Sequence, residues 1–228
     1  MALLIAPERS TLSDASVPLI NAWSYVISEP IQLAEKINTW SLDKESYYAI
    51  RGQEFNDPAW RAAQFIYLNK GAFNGLYRVN LAGKFNVPWG APKTSRVYDL
   101  DIFTAISTLF ADSKHRIRVQ DFGKSFASSK EGDFVFADPP YVTVRSNRSF
   151  YHYNEALFSW NDQKRLARVA ESARRRGVKV LVTNADHFAV RDLYPNFDCI
   201  PMRRKSTLAA DSAARRIASE ALFVSRPV

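Results

Sequence analysis

A strand, a capped helix and a second strand follow one another in the second half of the chain, and this pattern restricts the fold more than any other feature. Phe134 to Ala137 is a short apolar run, and Val178 to Asn184 is a second run rich in β-branched residues. Between them, Ser159-Trp160-Asn161-Asp162 has the form of an N-terminal capping box, and Gly177 stands where a C-terminal cap belongs. The sequence therefore predicts a βαβ unit with two parallel strands.

Asp138-Pro139-Pro140-Tyr141 directly follows the first of these strands. Ligands of parallel sheets bind beyond the carboxyl ends of the strands, which is where Asp138 falls. The Asp138 carboxylate and the Pro139 carbonyl can accept the two hydrogens of an exocyclic amine, which frees the amine lone pair for methylation. The prolines stiffen the loop, and the Tyr141 ring offers a face on which an extruded base can stack. Taken without their context, the four residues are equally compatible with a strand that ends in a capped proline turn.

Composition indicates a globular protein with a polyanionic partner. The chain has 228 residues, 46% of them hydrophobic, and a formal net charge of +8. Positive charge favours a partner such as DNA, although charge alone also fits an ordinary basic protein. Cys199 is the single cysteine, which excludes an internal disulfide and a cysteine zinc site, and the histidines show no metal-ligand spacing. No stretch is long enough to span a membrane. We therefore expect a cytoplasmic protein with no metal and no membrane partner.

The segment from Asn69 to Ser95 differs from the rest of the chain, because glycines and prolines are interleaved with aromatic and basic residues. Long irregular segments in compact domains are usually functional, and this composition suits a surface that meets nucleic acid. A decorated loop is the alternative interpretation.

We interpret Arg174-Arg175-Arg176 as a solvated face. Elsewhere, periodicity predicts helices before Pro30, over Ile31 to Trp40, after Pro58 and over Asp99 to Asp112, and strands over Ser10 to Leu12, Arg116 to Phe122, Cys199 to Arg203 and Ala221 to Val224.

These motifs resemble, in the same order along the chain, the Dam-like N6-adenine DNA methyltransferases, which use S-adenosylmethionine. The longest match runs from Leu68 to Gly90 and corresponds to the family's target-recognition segment. The resemblance implies that the loop from Asp138 to Tyr141 is catalytic and that double-stranded DNA is the partner. It also implies that DNA is bound by Lys70, Phe73, Asn74, Leu76, Arg78, Lys84, Asn86, Pro88 and Lys93.

For the cofactor, the resemblance implies that Asp14 holds the ribose and that Asp121 and Phe122 contact the adenine. The implied fold is α/β, with a Rossmann-like, mostly parallel methyltransferase sheet and an inserted, mainly helical target-recognition region. Residues 1–42 and 99–228 would form the catalytic core, and residues 43–98 the DNA-binding region.

The chain departs from the family at its beginning. Family members carry a strand and a Phe-x-Gly-x-Gly loop upstream of the position of Asp14, and Met1 falls after that loop. We therefore expect the first strand of the sheet to be missing and Met1 to Ile5 to end a helix. We also expect the 228-residue chain to bind no S-adenosylmethionine unless an upstream extension or a second chain supplies the loop. Ala91-Pro92 replaces an arginine and a tyrosine that several GATC-specific members carry, so specificity for that site is not implied.

The function predicted first is site-specific methylation of adenine N6 in duplex DNA, in a prokaryotic or phage setting close to the nucleoid. The alternative is a catalytically silent remnant or a DNA-binding module that keeps the recognition segment. A measurement of cofactor binding separates the two. A methyltransferase acting on RNA or on a protein amide is a weaker third interpretation, because such relatives usually carry Asn where Asp138 stands.

Overall fold

The computed structural model describes residues 7–80, 82–94, 96–111, 114–141, 158–205 and 217–228. The expectation of a helix at Met1 to Ile5 lies outside these residues. The chain divides into two compact units, Met1–Gln120 and Asp121–Val228. The predicted boundaries of the catalytic core and the recognition region stay a prediction.

The first unit is mainly helical and contains one pair of parallel strands. Ser10 pairs with His115 and Asp14 with Val119, so both strands end at the same edge. Polar side chains begin most of these helices by accepting backbone N–H groups, as Asp57 does from Ala59 ahead of Pro58, whereas the helix Pro30–Asn38 has no side-chain cap. The elements are β1 (Ser10–Asp14), α1 (Val17–Ser28), α2 (Pro30–Asn38), α3 (Lys44–Gly52), α4 (Pro58–Gly71), a 3₁₀ turn (Phe73–Gly75), α5 (Leu100–Phe110) and β2 (His115–Val119).

Two groups of buried side chains hold this unit together. In one, the small residues Ala62 and Ala63 of α4 are fully buried and let the neighbouring helices approach closely. In the other, the fully buried rings of Tyr47 and Tyr67 contact Trp89 and Trp40, respectively. The two clusters both include residues of α4, and the last turn of α4 lies within the predicted recognition segment.

The structure changes several predicted elements of the first unit. Residues Lys44–Gly52 form a helix for which no prediction was made, and α4 runs to Gly71, into the segment predicted to be irregular. The helix predicted over Asp99 to Asp112 is present as α5, but its apolar residue Ile102 is 56% exposed. The strand predicted over Arg116 to Phe122 ends at Val119 instead. The predicted strand at Ser10 to Leu12 is confirmed.

The second unit contains the predicted βαβ arrangement. Phe134 to Ala137 pairs in parallel with Lys179 to Val182. The capping box is present, because the Ser159 hydroxyl accepts from the backbone of Asp162 while the Asp162 carboxylate accepts from the backbone of Ser159. Gly177 has a φ of +80°, which favours glycine. The elements are α6 (Phe122–Ser128), β3 (Phe134–Ala137), α7 (Trp160–Arg175), β4 (Lys179–Ala185), α8 (Phe188–Arg191), β5 (Phe197–Lys205) and β6 (Ile217–Ser225).

The sheet of the second unit is mixed. Its order is β3-β4-β6-β5, and β6 runs antiparallel to both of its neighbours. With the β1–β2 pair of the first unit included, two of the four strand pairings in the described residues are parallel and two are antiparallel. The described residues therefore form mixed α/β units. The strand β3 lies at the edge of this sheet, and Phe134 is 52% exposed, whereas the sequence predicted a buried run.

The arginine triplet at the end of α7 corrects a prediction. Arg174 is only 12% exposed and donates to Glu171 and to the carbonyls of Arg226 and Pro227. Arg176 donates to the Phe126 carbonyl at the end of α6. The interpretation as a solvated face is wrong for Arg174, whose guanidinium reaches backbone carbonyls of a distant segment, whereas Arg175 and Arg176 are exposed.

None of the helices that the structure describes is both long and apolar enough to cross a membrane.

Candidate active site

The Asp138 loop lies at the carboxyl end of β3, next to the end of β4. Ala137 pairs with Val182, so the following residues, Asp138 and Thr183, lie side by side. The Thr183 hydroxyl donates a hydrogen bond to Asp138 Oδ1, and the Tyr141 hydroxyl lies 3.5 Å from the same oxygen. The loop therefore folds back on itself and brings Asp138 and Tyr141 together.

Two fully buried amides lie beneath this loop. Asn184 Nδ2 donates to Gln163 Oε1 at 2.9 Å, and Gln163 Nε2 returns a longer bond to Asn184 Oδ1 at 3.4 Å. Gln163 Nε2 also donates to the Pro140 carbonyl at 3.3 Å. Asn184 Oδ1 further accepts from the backbone N–H of Ala185. The loop is thus bonded to the interior through a polar pair that joins α7 to β4.

Sequence reasoning missed Thr183, Asn184 and Gln163, although each left a signal. Parallel pairing of the two predicted strands brings Thr183 and Asn184 to the edge where Asp138 falls. Gln163 lies three residues before Leu166, on the apolar face of α7. A polar residue on such a face needs a hydrogen-bond partner.

Two oxygen atoms of the loop, Asp138 Oδ2 and the Pro139 carbonyl oxygen, are available to a substrate amine. Among the described residues, both contacts to the Asp138 carboxylate fall on Oδ1, so Oδ2 can accept from an incoming amine. Gln163 binds the Pro140 carbonyl rather than that of Pro139. Burial raises the pKa of Tyr141, so its ring stays neutral near pH 7.

Asp121 and Phe122, at the start of α6, are both engaged by Arg165 of α7. The guanidinium donates to both carboxylate oxygens of Asp121, at 2.8 and 2.7 Å, and lies 3.8 Å from the centre of the Phe122 ring. Hydrogen bonding from Arg165 holds the pKa of Asp121 below its usual value. Asp121 also caps α6 by accepting from the Gly123 N–H. A cofactor adenine would therefore meet a carboxylate that is already paired.

Asp14 ends β1 in the first unit, whereas Asp121 and Phe122 begin the second unit. Asp14 Oδ1 accepts a hydrogen bond from the backbone N–H of Ser16 at 2.7 Å, and the Asp14 carbonyl accepts one from the backbone N–H of Gln120. An exposed carboxylate at the end of a parallel strand suits the hydroxyl groups of a ribose, so this residue fits the predicted cofactor role. The first glycine of the sequence is Gly52, so residues 1–51 contain no glycine loop beside Asp14.

The recognition segment folds into an irregular hairpin after α4. Antiparallel bridges join Ala72 to Trp89 and Val79 to Phe85. The hairpin is fixed to α3, because the Tyr47 hydroxyl donates to the Val87 carbonyl at 2.9 Å. Of the predicted DNA-binding residues, Lys70, Phe73, Asn74, Lys84, Pro88 and Lys93 are exposed, and Leu76, Arg78 and Asn86 are half-buried.

Two of the predicted DNA-binding cations have partners within the first unit. Arg78 donates to the side chain of Asn86 at 2.7 Å and to its carbonyl at 3.3 Å, across the hairpin. Lys84 forms an ion pair with Glu54, and both side chains are mostly exposed. Exposed ion pairs are weak, so Lys84 can exchange this partner for a phosphate at little cost.

Within the part of the chain that the structure describes, no cluster of three or more His, Cys, Asp or Glu side chains is placed to hold a metal ion.

A carboxylate, a backbone carbonyl and an aromatic ring at the end of a parallel strand are suited to activating an exocyclic amine, which is the chemistry that amino-methyltransferases need. A comparison with known families gives the same class. The family model for D12 class N6 adenine-specific DNA methyltransferases matches residues 1–208. The chain belongs to this family.

Individual relatives cover most of the chain. A type II methyltransferase of Lactococcus lactis subsp. cremoris is 30% identical over 219 residues, which span 92% of this chain and 77% of the relative. A DNA adenine methylase of Vibrio cholerae is 30% identical, with 96% of this chain and 81% of the relative covered. A DNA N-6-adenine-methyltransferase of Escherichia phage P1 is 32% identical, and the match covers 95% of this chain but 29% of that longer protein.

Proposed function

We propose that this chain is a site-specific DNA methyltransferase that transfers a methyl group from S-adenosylmethionine to N6 of adenine in duplex DNA. The observation that carries the proposal is the Asp138 loop, with Oδ2 of the carboxylate open to substrate and Tyr141 packed beside it. Family membership and the names of the relatives support the same reaction. The bacterial and phage relatives support a cytoplasmic location in a prokaryotic or phage setting.

The loop residues divide the chemistry between them. Asp138 Oδ2 and the Pro139 carbonyl accept the two amino hydrogens of an extruded adenine, which localises the lone pair on N6. The Tyr141 ring stacks on the base and holds it in line for transfer. When bound, the cofactor would supply a methyl group on a sulfonium, with the S–CH3 bond breaking as the N6–CH3 bond forms and a neutral thioether leaving. The negative charge of Asp138 stabilises the positive charge that develops on N6 until N6 releases one proton to solvent.

Cofactor binding is assigned to Asp14 through the ribose and to Asp121 and Phe122 through the adenine. The parallel pairs β1–β2 and β3–β4 support a Rossmann-like core, in which ligands bind at such strand ends. DNA binding is assigned to the recognition hairpin, whose exposed cations and rings support contacts with phosphates and bases.

One observation favours the alternative, a DNA-binding module without catalysis. Arg165 already donates hydrogen bonds to both carboxylate oxygens of Asp121 and lies over the Phe122 ring, so the residues assigned to the cofactor adenine have a partner within the protein. Calorimetric titration with S-adenosylmethionine separates the two functions. The titration compares the 228-residue chain with a form extended upstream by a strand and a Phe-x-Gly-x-Gly loop. Micromolar binding by either form supports the enzyme, and absence of binding by both supports the module.

The catalytic role is tested by Asp138→Ala, assayed in whichever form binds the cofactor. We expect the single-turnover rate of methyl transfer to fall by at least about 100-fold, because the carboxylate acts on the amine in the transition state. DNA affinity should stay within a few-fold of wild type. The exposed Asp192→Ala serves as the control for loss of an acidic residue from the same unit. A rate within tenfold of wild type would remove Asp138 from the catalytic role.

A further inference from the structure

We propose that Thr183 is a positioning residue for Asp138, and that the buried Gln163–Asn184 pair holds the loop in place through the Pro140 carbonyl. This inference rests on the proposed function, because its consequence for the rate depends on methyl transfer at Asp138. None of these side chains contacts the reacting atoms in the proposed reaction. They act through the loop.

The Thr183 hydroxyl sets the orientation of the carboxylate. Its single proton has two acceptors in reach, Asp138 Oδ1 and the Ala137 carbonyl, the latter at 3.4 Å. The carboxylate is charged and is the nearer of the two, so it takes the hydrogen bond. Thr183 is β-branched and lies in β4, which restricts χ1 and fixes the direction of the hydroxyl. With Oδ1 held, the carboxylate plane is fixed and Oδ2 faces the substrate.

The amide pair ties the position of the loop to the interior. Gln163 and Asn184 are fully buried, so their polar atoms need partners inside the protein. The Gln163 NH₂ group has two hydrogens, and its two acceptors are Asn184 Oδ1 and the Pro140 carbonyl. A displacement of the loop would leave one buried N–H without its acceptor. The loop therefore stays in place before a base arrives, which is the condition for electrostatic stabilisation without reorganisation.

Sterically matched substitutions at Thr183 separate hydrogen bonding from packing. Thr183→Val keeps the branched shape and loses the hydroxyl, whereas Thr183→Ser keeps the hydroxyl and loses a methyl group. We expect Thr183→Val to lower the single-turnover rate roughly 10- to 100-fold, the usual effect of a small misplacement of a reacting group. Thr183→Ser should retain most of the rate, and the KM for DNA should change little in both. If Thr183→Val is as fast as Thr183→Ser, Thr183 contributes packing and the proposal is overturned.

A second measurement does not depend on activity. Fluorotyrosine placed only at Tyr141 reports the loop by ¹⁹F NMR of the full chain. We expect one sharp line in wild type and in Thr183→Ser, and a shifted or broadened line in Thr183→Val and in Gln163→Leu. Thermal unfolding of each variant shows whether it folds. If one of Thr183→Val and Gln163→Leu does not fold, the other variant provides the test.

The two measurements distinguish the failure of the inference from the failure of the proposed function. If wild type transfers no methyl group in any form, the proposed function fails, and the ¹⁹F spectra alone decide whether these residues hold the loop. An unchanged ¹⁹F line in both Thr183→Val and Gln163→Leu overturns the proposal, whatever the rates.

Discussion

Gly90 lies where the recognition hairpin passes closest to the end of α4. A side chain built on Gly90 would overlap the Ala72 carbonyl, and backbone atoms on the facing strand cannot move aside cheaply. We expect Gly90→Ala to lower the free energy of unfolding by about 1–3 kcal/mol, the usual cost of overpacking. Gly52→Ala is the matched control, since nothing lies within 4 Å of its added carbon. Chemical denaturation measures both variants, and equal stability of the two would contradict this account of the hairpin.

Glu171 contributes to the stability of the second unit, because it joins the end of α7 to the segment before β5. It accepts hydrogen bonds from Arg174, Arg175 and Asn196. Hydrogen bonding from Arg174 is the main cause that lowers the pKa of Glu171 from 4.5 to about 2. A carboxyl group whose pKa is lowered by folding stabilises the protein at pH values above its pKa in the unfolded chain. This stabilisation is lost as the pH falls through the pKa of the folded state.

We therefore expect Glu171→Gln to lower stability at pH 7 by roughly 1–2 kcal/mol, the range for a hydrogen bond to a charged group. The difference between wild type and variant should shrink between pH 4.5 and about 2, where Glu171 becomes protonated. Urea unfolding at a series of pH values measures this difference. A difference that is independent of pH over that window would show that the charge of Glu171 is not the cause.

At the scale of the element, the recognition hairpin depends on the bond between Arg78 and Asn86. Arg78 was predicted to bind DNA, and its hydrogen bonds across the hairpin give it a structural role that sequence spacing did not indicate. We expect Arg78→Ala and Asn86→Ala each to lower stability, and the double variant to lose less than the sum because the two share one interaction. Denaturation of the four proteins measures this coupling.

The same variants test base recognition. Loss of a bidentate contact would reduce discrimination at one base pair by roughly 1–3 kcal/mol. Asn86 is itself a predicted DNA contact, so Gly90→Ala, which disturbs the hairpin and keeps the guanidinium, is the control for Arg78→Ala. Equal discrimination by wild type and Arg78→Ala in a binding assay with mismatched duplexes would assign Arg78 to the fold or to a phosphate.

At the scale of the whole molecule, a net charge of +8 predicts DNA binding that weakens with salt. Lys70 and Lys93 are exposed cations of the recognition segment. We expect Lys70→Gln and Lys93→Gln each to weaken binding to all sequences and to reduce the slope of log K against log salt by about one unit. Lys164→Gln, an exposed change in the second unit, removes the same charge and should leave the slope nearly unchanged. Equal slopes for all three variants would show that general charge, rather than the recognition segment, drives binding.

The sequence by itself determined the parts of this protein that depend on near neighbours. The capping box at Ser159, the positive φ at Gly177 and the end of β3 before Asp138 follow from local hydrogen bonding and backbone sterics. These signals also predicted the parallel pairing of β3 with β4, because a crossover helix between two strands permits little else.

Only the tertiary structure decided which distant groups meet. Arg165 binds Asp121 from 44 residues away, Arg174 reaches the carbonyls near the end of the chain, and Gln163 supports the Pro140 carbonyl. Each of these polar groups has several possible partners in the sequence. The choice depends on how α7 is rotated over the sheet, which is decided by the packing of its whole apolar face. Asp138 was identified from its own motif, whereas the contact between Asp138 and Thr183 depends on the exact register of β3 against β4, which the sequence did not specify.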